Sequence, residues 1–151
     1  MPLKTYTSGG LPPSGKKLVT ELLQQGDAVR FSAFGPSMHP VIRSGESVLV
    51  RPVHDNDLRP GAILLFKYHG RLVLHRFIRH DRDGRLVTVA DAALDGQDVA
   101  EAGDVVGTAE SVRRRDRERR LDTRHACWYG LLRYHARPLR RLIARLIRHA
   151  Q

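Results

Sequence analysis

The chain has 151 residues, of which 41% are hydrophobic, and this length suits one domain with a real core. No apolar run reaches the length of a membrane span, and the first fifteen residues have no apolar segment of the kind found in cleavable signals. The single cysteine, Cys127, excludes an internal disulfide and fits a reducing compartment. We therefore expect a cytoplasmic protein.

The positive charge is concentrated at one end of the chain. Residues 112–151 contain thirteen arginines and three acidic residues, which accounts for the net charge of +10. Residues 1–111 contain thirteen basic and thirteen acidic residues and are neutral. The composition predicts a neutral domain followed by a basic tail.

The predicted elements begin after an arm. Residues 1–15 are rich in Gly, Pro, Ser and Thr and are expected to form a flexible N-terminal arm. Ser14 is a candidate cap for a helix over 16–25, which Gly26 would end. Six strands are predicted after it, at 28–34, 47–52, 62–68, 71–79, 85–90 and 104–112. Short strands joined by tight turns predict a mostly β, antiparallel, sheet-rich domain over 16–112 that partly closes into a barrel.

Residues 113–151 are predicted to form an Arg-rich helical tail. After Pro138, apolar residues recur at helical spacing with arginines on the other side, which is the pattern of a basic amphipathic helix. Such a helix suits several roles: covering the sheet domain, lying on an anionic membrane surface, or binding a protein partner. Nucleic acid is the least favoured partner, because no aromatic stacking platform is evident.

A serine follows the first predicted strand at a turn. In the segment 34–40, Gly35 permits an unusual backbone conformation and Pro36 removes a backbone donor, which predicts an exposed bend at Ser37. Serine is also a common turn residue, so this position indicates a nucleophile only if a base lies near it.

His75 is the best candidate for that base among eight histidines. It is a lone imidazole inside the apolar strand at 72–78, where a buried polar group needs a hydrogen-bond partner or has a functional role. Imidazole is the side chain best suited to accept a serine proton near neutral pH. A core histidine that bonds only to backbone is the alternative interpretation.

An acid that orients the imidazole would complete a triad. The segment 88–98 supplies three candidates in a loop after a strand, Asp91, Asp95 and Asp98. Capping of the turn is the alternative role for each of them.

The motifs resemble those of signal peptidase I and its relatives. Residues 35–40 read Gly-Pro-Ser-Met-His-Pro and are similar to the family signature Gly-x-Ser-Met-x-Pro. His75 and Arg76 stand where bacterial signal peptidases have Lys-Arg and the endoplasmic-reticulum and archaeal-type enzymes have His-Arg. Further matches, in order along the chain, extend the resemblance over residues 28–112; they lie at 45–50, 58–61, 90–98 and 105–107.

The resemblance implies a serine endopeptidase that cleaves a leader or extended segment after small residues. Ser37 would be the nucleophile and its N–H an oxyanion donor, with His75 as general base and then general acid. Asp98 or Asp91 would orient the imidazole. Met38 would line the substrate pocket, for which core packing is the alternative.

Arg76 has a supporting role in this scheme. If it pairs with Asp91 to brace the loop, Asp98 becomes the more favoured third member of the triad. The resemblance implies no metal and no cofactor. The self-cleaving repressors of the same superfamily use lysine as the base, so His75 favours the secretory-type branch.

Two departures from the family keep other functions open. Ala90-Asp91-Ala92 replaces the family's Gly-Asp-Asn, and the membrane anchor of a signal peptidase is missing, so we expect cytoplasmic processing, with a peripheral position on the inner membrane face as a further option. One alternative is a non-catalytic, peptidase-like module that docks a protein or membrane through its basic tail. Another is a self-processing regulator that binds DNA, although neither a helix-turn-helix nor an internal cleavage loop is evident.

Overall fold

The computed structural model describes residues 5–6 and 13–149. Within these ranges the chain forms strand β1 and helix α1, then strands β2 to β9, then helices α2 and α3. Their bounds, in chain order, are β1 Thr5–Tyr6, α1 Pro13–Gln24, β2 Val29–Ser32, β3 Ser47–Arg51, β4 Ile63–Tyr68, β5 Arg71–His80, β6 Leu86–Val89, β7 Asp98–Ala100, β8 Val105–Arg114, β9 Arg117–Arg120, α2 Arg124–His135 and α3 Arg137–His149.

All nine described strands belong to one sheet. The strand order is β1-β2-β3-β8-β4-β5-β6-β7, and β9 pairs with β8. Every pairing is antiparallel except that of β1 with β2. The sheet curls into a half-barrel, and the two C-terminal helices follow it. The predicted fold class, a mostly antiparallel and partly closed domain with a helical C-terminus, is confirmed.

Strand β4 separates two apolar cores. Its buried residues alternate in direction, so that Ile63 and Leu65 join a core beneath α1, whereas Leu64 and Phe66 join a core beside β5 and β6. A strand buried on both faces carries a continuous apolar run rather than an alternating one. This explains the unbroken apolar sequence at 62–66.

The bounds of α1 differ from the prediction. The helix begins at Pro13, so Ser14 lies inside its first turn instead of capping it, and proline suits that first position. The helix ends at Gln24, before Gly26, whose φ of +92° is a conformation that favours glycine. Of the predicted N-terminal arm, residues 1–4 and 7–12 lie outside the described residues, while Thr5–Tyr6 pairs with β2.

The helical part of the tail begins later than residue 113. Strand β8 continues to Arg114 and β9 pairs with it, and Glu118 of β9 binds both Arg113 of β8 and Arg30 of β2. Helix α2 starts after Thr123, whose side chain caps it by accepting a hydrogen bond from the Ala126 N–H. None of the helices in the described ranges is long and apolar enough to cross a membrane.

Candidate active site

The turn that carries Ser37 is fixed by hydrogen bonds, and Ser37 itself is exposed. Gly35 has a φ of +102°, and the His39 N–H donates to the Pro36 carbonyl (3.0 Å), which closes a tight turn around the serine. Met38, the next residue, is buried in the core beneath α1 and also borders the cleft described below. Its position is therefore compatible with both the predicted pocket role and the core-packing alternative.

Arginines of β8 and β9 hold the far end of this turn. Arg114 donates to the Pro40 carbonyl (3.2 Å), and Arg119 donates to the Val41 carbonyl (2.5 Å). These are bonds from charged donors to backbone acceptors, which are stronger than neutral ones. Part of the positive charge assigned to a tail from the sequence therefore supports the turn of Ser37.

His75 lies on β5 with its side chain only 11% exposed. Its Nδ1 is 2.9 Å from Oδ2 of Asp98, at ion-pair distance but off the axis of an ideal N–H donor. Phe66 packs edge-on against the imidazole, with 6.0 Å between ring centroids. Burial lowers the pKa of His75 below its ordinary value of about 6.5, and the Asp98 carboxylate opposes this only in part. The imidazole is therefore neutral near pH 7, as a general base must be.

The candidate carboxylates have separate partners. Asp91 forms a buried, two-point ion pair with Arg76, with Oδ1 2.7 Å from Nε and Oδ2 2.6 Å from Nη2. The third nitrogen of the guanidinium donates to the Gly61 carbonyl (2.6 Å). Asp98, at the start of β7, is the carboxylate at His75, and Asp95 is exposed and pairs with Arg141. Of the two acids that the sequence left open, Asp98 contacts the imidazole and Asp91 contacts Arg76.

The segment 88–98, which carries these acids and is called the acid loop below, also contacts the turn of Ser37. The Ala92 N–H donates to the Ser37 carbonyl at 2.9 Å. This bond uses only the backbone, so the alanine that replaces the family's asparagine can still make it. The turn and the loop are thereby fixed to each other.

A cleft of about 890 Å³ brings the predicted residues together. Ser37, Met38, His75 and Asp98 all line it, whereas Arg76 and Asp91 are buried below the surface and do not. Its remaining walls are largely apolar and include Phe34, Leu65, Val73 and Leu74. A concave, mostly apolar site with a few convergent polar groups is typical of substrate clefts.

Two lysines near the cleft bear on the choice of base. Lys67 on β4 is exposed and lines a second groove beside α1 rather than the cleft of Ser37. Lys16 of α1 borders both, and its Nζ lies 3.5 Å from the Gly70 carbonyl. Lys16 is therefore the lysine that a test of the base must include.

Tyr68 is a residue of the site that the sequence reasoning missed. The charge of Asp98 raises the pKa of the Tyr68 hydroxyl, and burial and a hydrogen bond between the two side chains act in the same direction. Tyr68 therefore belongs to a row of polar groups with Asp98 and His75. A signal was available in the predicted strands 62–68 and 71–79. If these strands pair through a tight turn, as β4 and β5 do, alternation places Tyr68 on the same face as His75.

Comparison with known families adds an independent observation. The Peptidase S24-like family model matches residues 13–109, which is more than half of the chain. The chain belongs to the Peptidase S24-like family. This places it in the superfamily of signal peptidases and self-cleaving repressors that the sequence motifs indicated, and it supports a peptidase function. A comparison with curated proteins found no match.

The S24-like match covers the part of the chain that carries the candidate site and leaves out the C-terminal helices. The match includes α1, the turn of Ser37, β5 with His75 and the acid loop, and it ends within β8. Strand β9 and helices α2 and α3 lie beyond it, although they pack on it. The C-terminal helices are thus an addition to the S24-like domain.

Proposed function

We propose that this S24-like protein is a serine endopeptidase of the signal-peptidase type, which cleaves an extended segment after small residues. The observation that carries the proposal is that Ser37, His75 and Asp98 line one cleft, where Asp98 lies 2.9 Å from a buried imidazole whose pKa is below its ordinary value. A neutral imidazole that is paired with a carboxylate, in the same cleft as an exposed serine, supplies the groups that activate a hydroxyl.

In the proposed reaction, His75 takes the Ser37 proton as the hydroxyl oxygen attacks the scissile carbonyl. The imidazolium then gives this proton to the leaving amine, which produces an acyl-enzyme and the first product. His75 next takes a proton from the water that attacks the ester, and gives it to the Ser37 oxygen as the ester bond breaks and the second product leaves. Asp98 stabilises the imidazolium in both steps, and Tyr68 holds Asp98 in place.

The oxyanion of each tetrahedral intermediate needs donors. The Ser37 N–H is our first candidate, because among the described residues no hydrogen bond occupies it. Met38 would limit the side chain that precedes the cleaved bond to a small one, since it is fixed in the core at the edge of the cleft. The apolar walls would hold the rest of an extended segment.

The test is covalent labelling by an acylating probe, a β-lactam or a serine-reactive lipopeptide, read by intact mass. We expect one adduct per chain in the wild type, and a loss of labelling of at least about a hundredfold in Ser37→Ala and in His75→Ala, the range that general-base catalysis contributes. Lys16→Ala is the matched control, because Lys16 borders the same cleft. It should label at the wild-type rate.

Two outcomes would overturn the proposal. Labelling that survives His75→Ala but is lost in Lys16→Ala would make lysine the base, as in the self-cleaving repressors. Absence of labelling in folded wild-type protein would favour the non-catalytic, peptidase-like module. Thermal melting of each variant distinguishes loss of chemistry from loss of fold.

A further inference from the structure

Helix α3 is attached to the sheet domain by its arginine side. Arg137, which is buried, donates to the carbonyls of Gly96 (3.0 Å) and Ala90 (3.2 Å). One turn further on, Arg141 donates to the Leu94 carbonyl (2.7 Å). The acceptors all belong to the acid loop, so the polar face of the helix is the one turned towards the protein.

The apolar face of α3 consequently points away from the protein. Five apolar side chains on this face are between 47% and 62% exposed. We call them the outer stripe; they are Leu139, Leu142, Ile143, Leu146 and Ile147. A helix on the surface of a globular protein normally turns its apolar face to the core, and large exposed apolar patches usually mark interaction sites. The outer stripe therefore needs an occupant.

The charge around the outer stripe restricts that occupant. Residues 123–151 contain seven arginines and no acidic residue. Helical periodicity places Arg140 and Arg145 at the two edges of the stripe. Trp128 of α2, 69% exposed, adds an aromatic side chain of the kind enriched where a protein meets the membrane interface.

We propose that α3 docks the protein on the surface of an anionic lipid bilayer. The outer stripe would enter the boundary between headgroups and acyl chains, and the flanking arginines would bind the lipid headgroups. Pairing of two copies through their stripes would bring like charges together, which opposes that interface. The proposal goes beyond the peptidase activity and does not depend on it.

The test is co-sedimentation of the full chain with vesicles of phosphatidylcholine, with or without phosphatidylglycerol. The variant carries both Leu142→Gln and Leu146→Gln, which replace two of the five apolar side chains of the outer stripe without changing the net charge. The control is Leu18→Gln, an equally conservative change at an exposed leucine of α1, 37% exposed. We expect wild type and control to bind the anionic vesicles, and the double variant to bind at least about tenfold more weakly. Binding to pure phosphatidylcholine should also be at least about tenfold weaker.

Three results of the vesicle assay would overturn the proposal. They are failure of the wild type to bind anionic vesicles, equal binding by the double variant, and equal binding to both kinds of vesicle. Sedimentation velocity without lipid tests whether a second copy of the chain covers the outer stripe. A wild-type dimer that the double variant abolishes would show that a copy of the chain, and not a bilayer, covers the outer stripe.

Discussion

Helices α1 and α3 are both amphipathic, yet they attach to the same sheet domain by opposite faces. Helix α1 buries Val19, Leu22 and Leu23 in the core, and its exposed side carries the Lys17–Glu21 ion pair. Helix α3 turns arginines inward, onto the carbonyls of the acid loop, and leaves its apolar side chains outside. An amphipathic pattern therefore identifies the two faces of a helix but does not show which of them packs on the domain. The inner face depends on what the neighbouring surface offers, which is apolar side chains under α1 and backbone carbonyls of the acid loop under α3.

The two helices should respond differently to loss of an apolar side chain, and this is the largest effect we expect. Leu23→Ala removes a fully buried side chain from the core and should lower the free energy of unfolding by about 2–5 kcal/mol. Leu146→Ala, at 62% exposure, should change it by no more than about 0.5 kcal/mol. Urea denaturation of both variants measures the difference. Equal losses would mean that the outer stripe is covered in solution, and the comparison of the two helices would fail.

Helix α2 also packs on a charged group of the domain, the Arg76 guanidinium, and Gly130 allows this close approach because it has no side chain. A Cβ placed on Gly130 would lie 2.1 Å from the Arg76 guanidinium carbon. Gly130→Ala should therefore displace either α2 or the buried Arg76–Asp91 pair and cost about 1–3 kcal/mol. Gly103→Ala is the matched control, because a Cβ there meets no atom within 4 Å. Thermal unfolding of the two variants should separate them, and a Gly130→Ala protein as stable as the control would contradict this packing.

The smallest effect concerns the pH dependence of labelling by the acylating probe. The neutral imidazole of His75 is the active form, so the rate should be full above its pKa and fall as the pH drops through it. Because burial lowers that pKa, the midpoint should lie below about 6.5. Asp98→Asn removes the charge that partly offsets burial, so it should move the midpoint further down, besides slowing the reaction.

Asp95→Asn is the control for this shift, because Asp95 pairs with Arg141 and not with His75. The rate is measured from pH 5 to 8 for the three proteins. A midpoint that rises in Asp98→Asn, or that moves equally in Asp95→Asn, would show that the carboxylate at His75 does not set the titration.

Local sequence signals predicted the sheet, and they also pointed to Ser37, His75 and Asp98, which the fold brings to one cleft. Glycine and apolar alternation located six strands, because these patterns reflect backbone conformation and burial on one face. His75 was a polar residue inside an apolar strand, and such a residue requires a partner that the chain must supply. These inferences need only the neighbours in sequence.

The features that the sequence did not reveal depend on contacts between distant segments. Strand β9 reads Arg-Glu-Arg-Arg, which no strand pattern predicts, and it forms because Glu118 meets Arg30 from β2. The orientation of α3 depends in the same way on carbonyls about 45 residues earlier in the chain. Side chains with long-range polar partners override local propensity at both places.

The ion pair of Arg76 and Asp91 has a consequence for how the protein can be shortened. Helix α2 lies over this pair through Gly130, and the arginines of α3 hold the loop on which Asp91 and Asp98 stand. A chain cut at the end of the family match would lose both supports and expose a charge pair built for a dry environment. Inactivity of such a fragment would then report a collapsed loop and say nothing about the chemistry of the whole chain.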